Sequence, residues 1–418
     1  MKVLEKRQQI FAQRVTSERD SLLSDIAVWK GALPAGSVIQ HHVQQFEVLA
    51  TRILSSLESL YDSERLQDLD RSTFESAIVS VLTGKWVKLR QVVLQRVPGN
   101  PYASTLQELD GMAEDAYERL RLALKEVGKL EDLSSSPPLV YVGPLARLLL
   151  FDEHAPYLIG TPFGAVNAGD EFARDLCRQT IPHEAADAIF EQIPEVLDEL
   201  KFEAGRQLAE PEPNRRQGAI HSVILNWLGE IVADMAGTAL GGEDFARSAA
   251  IIMTMPEKLI GKTDDTHPTP LLRPFIHAWT LQKISSETSS AVDSQVNRIS
   301  SEYLARRFES LPALISVSME EVRPELIRLV ALIWDSPLKA LDNHSLGEVL
   351  SEASRKQISR RQAAELFAWG QPVDGEDELF RLIGRIDPVN PLPGPELFIN
   401  EICCDYIKWQ GCCDRTIM

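Results

Sequence analysis

The sequence predicts a mainly α-helical chain with a small sheet set into its middle, and three observations carry that prediction. Through the first third, apolar residues recur in alternating steps of three and four, which keeps one helix face apolar. A Ser- and Pro-rich break follows, and after it come short extended runs bounded by Gly and Pro. Beyond those runs the helix period returns.

The first third divides into four helical segments. Leu4, Phe11, Val15, Leu22 and Ile26 stripe the first, and Val43, Phe46, Ala50, Ile53, Leu57 and Leu60 the second. Phe74, Ile78, Val81, Leu89 and Val92 mark the third; Leu106, Leu109, Ala113, Ala116, Leu120, Leu124 and Val127 mark the fourth. Turn residues at 33–37 and 97–104 punctuate them, so a bundle or long helical hairpins are expected over 1–135. Stripes of this kind are core far more often than cofactor sites, and no chemistry is assigned to them.

The stretch 130–139, "LEDLSSSPPL", reads as a boundary. A second unit, 136–290, starts with the strand "LVYVG" and a further extended run within 155–166. A helix around His183 follows, with Pro182 suited to its first turn. A long apolar helix is expected over 219–240, capped by Gly241 and Gly242. The turn-rich loop 261–274 leads into another helix, and 291–418 reads as a C-terminal helical region with polar and Pro-rich breaks.

Composition narrows the function classes. Apolar residues make up 44% and charged residues 25%, as in soluble globular proteins. A net charge of −18 argues against a nucleic-acid partner, because nothing would neutralise the phosphates. The N-terminus lacks the apolar stretch of a signal peptide, and no apolar run is long enough for a membrane span, so a cytoplasmic chain is expected. Of the five cysteines, Cys177 stands alone, while Cys403, Cys404, Cys412 and Cys413 form two adjacent pairs near the C-terminus. That spacing is unlike the Cys-x-x-Cys of zinc ribbons, and the pairs are read as thiols of a terminal helix and its exit.

The chemistry gathers in three motifs. "HEAAD" puts His183 and Asp187 one helical turn apart on one face, with Glu184 beside them. "EIVAD" does the same for Glu230 and Asp234, the acidic pair in an otherwise apolar stretch with Val223, Ile224, Leu225, Trp227, Leu228, Ile231 and Val232 around them. Carboxylates in such a setting need a counter-charge, and a metal ion supplies one. "THPTPLLR" adds His267 and Arg273, an imidazole and a guanidinium suited to a developing oxyanion.

In that order the motifs resemble those of the gluzincin metalloproteases, and among these the CAAX prenyl protease and HtpX-like family. The resemblance covers roughly 138–285. It implies a gluzincin-like α+β core with a small sheet, flanked by helical domains. It also implies zinc as cofactor, held by His183, Asp187 and Glu230, with Asp234 orienting His183. Glu184 would be the general base, His267 and Arg273 would assist, and a peptide or protein would be the substrate, cleaved by metal-activated water. The extended run before His183 is similar to the strand along which such enzymes pair a peptide.

Asp187 departs from the pattern, which has a second histidine there. A carboxylate can bind zinc, but two carboxylates and one imidazole favour harder divalent ions. His154, His267 and His277 are the histidines from elsewhere that could substitute; His221 lies on the wrong side of its helix. Two functions stay open: a soluble zinc-dependent metallopeptidase with a variant site, or a pseudoprotease acting as a binding scaffold with weakened or lost metal binding. In either case the N-terminal helical domain is a candidate surface for a partner protein.

Overall fold

A computed structural model describes residues 2–355 apart from 62–70, 98–99, 129–132, 134–136, 144–156, 163–170, 210–211, 253–266, 286–295, 298–299, 301–306 and 311–314. The expected C-terminal cysteine pairs and His154 lie outside the described residues. The fold is mainly helical with small sheets, as expected. The N-terminal helices are α1 (Lys2–Ala32), α2 (Val38–Tyr61), α3 (Arg71–Leu94) and α4 (Ala103–Gly128). Strands β1 (Leu139–Gly143) and β2 (Leu158–Pro162) follow. Next come α5 (Glu171–Phe190), α6 (Pro194–Leu208), α7 (Arg215–Asn226), α8 (Leu228–Ile252) and α9 (Arg273–Ile284).

The region expected to be a helical tail contains two short antiparallel pairs as well as helices. They are β3 (Arg307–Ser310) with β4 (Ile315–Ser318), and β5 (Pro337–Leu338) with β6 (His344–Ser345). Helix α10 (Met319–Asp335) starts at a capping box in which Ser318 and Glu321 satisfy each other's backbone N–H groups. Helix α11 (Leu346–Arg355) ends the described chain.

Helices α1, α2 and α3 pack on one another around Trp29, Phe46 and Trp86. The fourth helix does not complete that bundle. Its N-terminal half, through Leu106, Leu109 and Ala113, packs on the strands. Its C-terminal half, from Ala116 to Leu124, joins the main core, which runs on through α5–α11. The expected unit 136–290 is thus packed by elements from both of its flanks. In α3 the buried face is Val79, Leu82, Trp86, Leu89, Val92 and Val93, so Leu89 and Val92 are buried as expected while Val81 points outward at 59% exposure.

β1 and β2 run parallel, with Leu139 opposite Leu158 and Val142 opposite Thr161. Leu139 and Leu158 face the α1–α3 core, while Val140, Val142 and Ile159 face α4 and α5. Side chains close the outer edge of β1. Gln95 donates to the Val142 carbonyl and accepts from its N–H, both at 2.8 Å. Asp110 accepts the Val140 N–H at 2.9 Å, and Arg96 donates to the Val140 carbonyl and forks onto Asp110. The other edge of the pair is that of β2, whose ladder among the described residues is with β1 alone. Thr161 of β2 touches the buried Cys177 thiol of α5, 3.3 Å away.

Two expectations about helix ends are corrected. Pro182 lies inside α5, not in its first turn, because the helix extends back to Glu171. A proline there removes one backbone hydrogen bond and is tolerated where packing over-determines the helix. The single helix expected over 219–240 is two, α7 and α8, broken at the buried Trp227 and bent by 56°. Gly242 adopts φ +59°, the left-handed conformation expected of a cap, yet the helical run resumes beyond it as far as Ile252. Among the described residues no single helix is long and apolar enough to cross a membrane; α7 and the start of α8 reach that composition only together, across their bend.

Candidate metal centre

The site forms where α5 and α8 approach closely. Ala185, Ala186 and Ala188 on one helix and Ala233 and Ala236 on the other are fully buried, and their small side chains allow the approach. Gly237 lies at this approach. A Cβ there would stand 2.6 Å from the Phe245 ring and 3.3 Å from the His183 backbone nitrogen. The glycine therefore sets how near the metal-type helix can come to the carboxylates of α8.

His183 reads both helices. Its Nδ1 lies 3.1 Å from Asp234 Oδ1, and its Nε2 lies 3.3 Å from Glu230 Oε2 and 3.5 Å from Asp187 Oδ2. Donor atoms from His183, Asp187 and Glu230 all fall within 4.8 Å of one another, so the three could hold a metal ion. Two of the separations are compatible with shared ligation of one ion. With metal–ligand bonds of about 2.0–2.2 Å, neighbouring donors around a tetrahedral ion stand about 3.3–3.6 Å apart. An N–H···O bond prefers roughly 2.7–3.2 Å. The two Nε2 distances fall in the first range, and the contact with Glu230 also serves as a hydrogen bond that favours the charged imidazole. With Nδ1 engaged by Asp234, the remaining ring nitrogen is turned toward the donor set, the usual support of a ligating histidine.

The seven residues singled out in the sequence come together. Arg273, at the start of α9, forks onto Asp234: Nε donates to Oδ2 at 2.8 Å and Nη2 to Oδ1 at 2.5 Å. Its Nη2 also lies 3.4 Å from His183 Nδ1. His267 sits on the outer side, 43% exposed, with Nε2 3.2 Å from Glu230 Oε1. Glu230 thus has one oxygen toward each histidine. Glu184 is buried and within electrostatic reach of Glu230, Arg273 and His267. The other histidines play other parts: His221 bonds Glu325 of α10 at 3.0 Å, and His277 bonds Thr238 of α8 at 2.9 Å.

Charge in this pocket is strongly coupled. Burial pushes the Glu184 carboxyl up to about 7, with Glu230 adding to the rise. Burial also raises Asp187 well above the carboxylate range, reinforced by Glu230, Glu184 and Asp234. Burial opposes charge on His183, but Asp187, Asp234 and Glu230 outweigh it and raise the imidazole well above its usual value. Burial also opposes charge on Glu230 and Asp234, yet both are held below the usual range, Glu230 by His183 and His267, Asp234 chiefly by Arg273.

The motif reading did not identify Gly237, Thr238 or Phe245, and it considered His277 only as a substitute ligand. A signal was present for two of them: Thr238 is four residues beyond Asp234, and His277 four beyond Arg273. Comparison of the chain with protein-family models, with curated proteins and with solved structures gives no match.

Proposed function

We propose that the chain is a metal-dependent peptidase whose centre is His183, Asp187 and Glu230, with zinc as the ion the motifs imply. The observation that carries this reading is the spacing of the donor set, with Asp234 turning the free nitrogen of His183 into it. A divalent ion held there supplies Lewis acidity to a peptide carbonyl and to water. Glu184, buried beside the donor set, takes a proton from the attacking water and returns it to the leaving amine. His267, half open to solvent beside Glu230, donates to the carbonyl oxygen as charge develops on it. Arg273 acts through Asp234 as a positioning residue.

The test compares the native chain with Glu184→Gln on unstructured protein substrates, with metal content measured in both. Hydrolysis is expected to fall by about 10²–10⁴-fold while metal content is retained. Undiminished cleavage by the Gln variant would overturn the assignment. Asp187 in place of a second histidine favours a second reading, a scaffold without catalysis. That reading is supported if the native chain carries no metal and cleaves nothing.

A further inference from the structure

Behind the donor set, two polar rungs join α8 to α9. Asp234 and Thr238 lie one turn apart on α8, and Arg273 and His277 lie one turn apart on α9. The first rung is the fork of Arg273 on Asp234. In the second, His277 Nδ1 lies 2.9 Å from Thr238 Oγ1, and both side chains are fully buried.

The protons of the second rung follow from counting donors. The threonine has one O–H, and it is directed to the Asp234 backbone carbonyl at 2.7 Å. Oγ1 therefore accepts, and His277 Nδ1 donates. That tautomer leaves Nε2 of His277 as a buried acceptor, and it has no hydrogen-bond partner. An unpaired buried acceptor is unfavourable, and an apolar side chain at 277 would avoid that cost. The bond to Thr238 is then what the imidazole contributes. Phe245 packs edge-on against the ring at 5.2 Å and fixes its plane. The same phenylalanine fills the space beside Gly237, where α8 faces the His183 backbone.

We propose that Thr238 and His277 are positioning residues of the metal centre, pinning the register of α9 on α8 so that Arg273 meets Asp234 and Asp234 holds His183. The inference rests on the metal-site reading above. A small slide of α9 would carry the guanidinium off the Asp234 carboxylate, and a freed carboxylate would no longer fix the imidazole plane. Outer partners of ligating histidines typically matter by about 10–100-fold in metal affinity.

Thr238→Val removes the hydroxyl at nearly constant volume, and Thr238→Ser restores it. His277→Phe removes the donor, and His277→Gln retains one. Zn²⁺ affinity is read by competition with a chromogenic chelator. The hydrogen-bonded Nδ1 proton of His183 is read by NMR in metal-free protein carrying isotope-labelled histidine. The Val and Phe variants are expected to bind Zn²⁺ about tenfold more weakly. They should also lose the slowly exchanging His183 proton, while Ser and Gln keep both properties. If Thr238→Val fails to fold, the Phe and Gln pair at 277 decides. Unchanged affinity and an unchanged His183 resonance in Val or Phe would overturn the proposal. If the native chain binds no Zn²⁺, the metal-site reading fails, and the His183 resonance alone decides whether the rungs position it.

Discussion

Asp187 is shorter than the histidine whose place it takes, yet its Oδ2 comes within 3.5 Å of His183 Nε2. That contact is set by α5 itself, on which the two residues lie one turn apart, whereas the meeting with Glu230 depends on α8. Gly237 and the facing alanines bring α5 close enough to α8 for a short carboxylate to meet Glu230 around one point. The resulting donor set has one nitrogen and two carboxylates, which lowers its preference for zinc relative to manganese. Asp187→His removes a negative charge and adds a softer donor. The ratio of Zn²⁺ to Mn²⁺ affinity, measured by competition, is expected to rise in the variant by about tenfold or more. An unchanged ratio would show that residue 187 does not touch the ion.

At the level of elements, the β1 edge shows how this fold closes a small sheet. Backbone groups of Val140 and Val142 that would otherwise invite another strand are met by Gln95, Arg96 and Asp110. The Arg96–Asp110 pair is nearly solvent-free, at 6% and 4% side-chain exposure. Arg96→Met would leave Asp110 buried without its counter-charge, at a cost of about 3–5 kcal/mol. Denaturant unfolding reads this directly, and an unshifted midpoint would refute it. None of this closure was legible in the sequence. The period of three and four located the helices, and the i, i+4 spacing placed His183 with Asp187 and Glu230 with Asp234, because local geometry decides both. Pairing between elements was not legible, because it depends on docking. α4 leaves the N-terminal helices for the main core, the α3 face turns so that Val81 is exposed, and His277 finds Thr238 only after α9 has packed on α8.

Across the whole molecule, two buried groups far from the metal centre set opposing pH dependences of stability. His42 is fully buried, with Nδ1 2.7 Å from the Val38 carbonyl; burial lowers it from 6.5 to about 4. The unfolded chain therefore binds a proton there that the folded chain refuses, and stability is lost as pH falls from 6.5 toward about 4. Glu114 lies on α4, where that helix passes from the strand-facing core to the main one. Its Oε2 is buried and unpartnered, and burial, then Glu118, Asp110 and Asp115, raise it from 4.5 to about 7. Here the folded chain holds the proton more tightly, so stability is lost as pH rises from 4.5 to about 7. The two slopes oppose each other between 4.5 and 6.5, and above that window only the Glu114 loss remains. Glu114→Gln mimics the protonated carboxyl at every pH. Thermal melts are therefore expected to show little difference from the native chain at about pH 4 and a gain on the order of 2–3 kcal/mol at about pH 8. An equal gain at both pH values would mean that packing around residue 114, and not its proton, sets the difference.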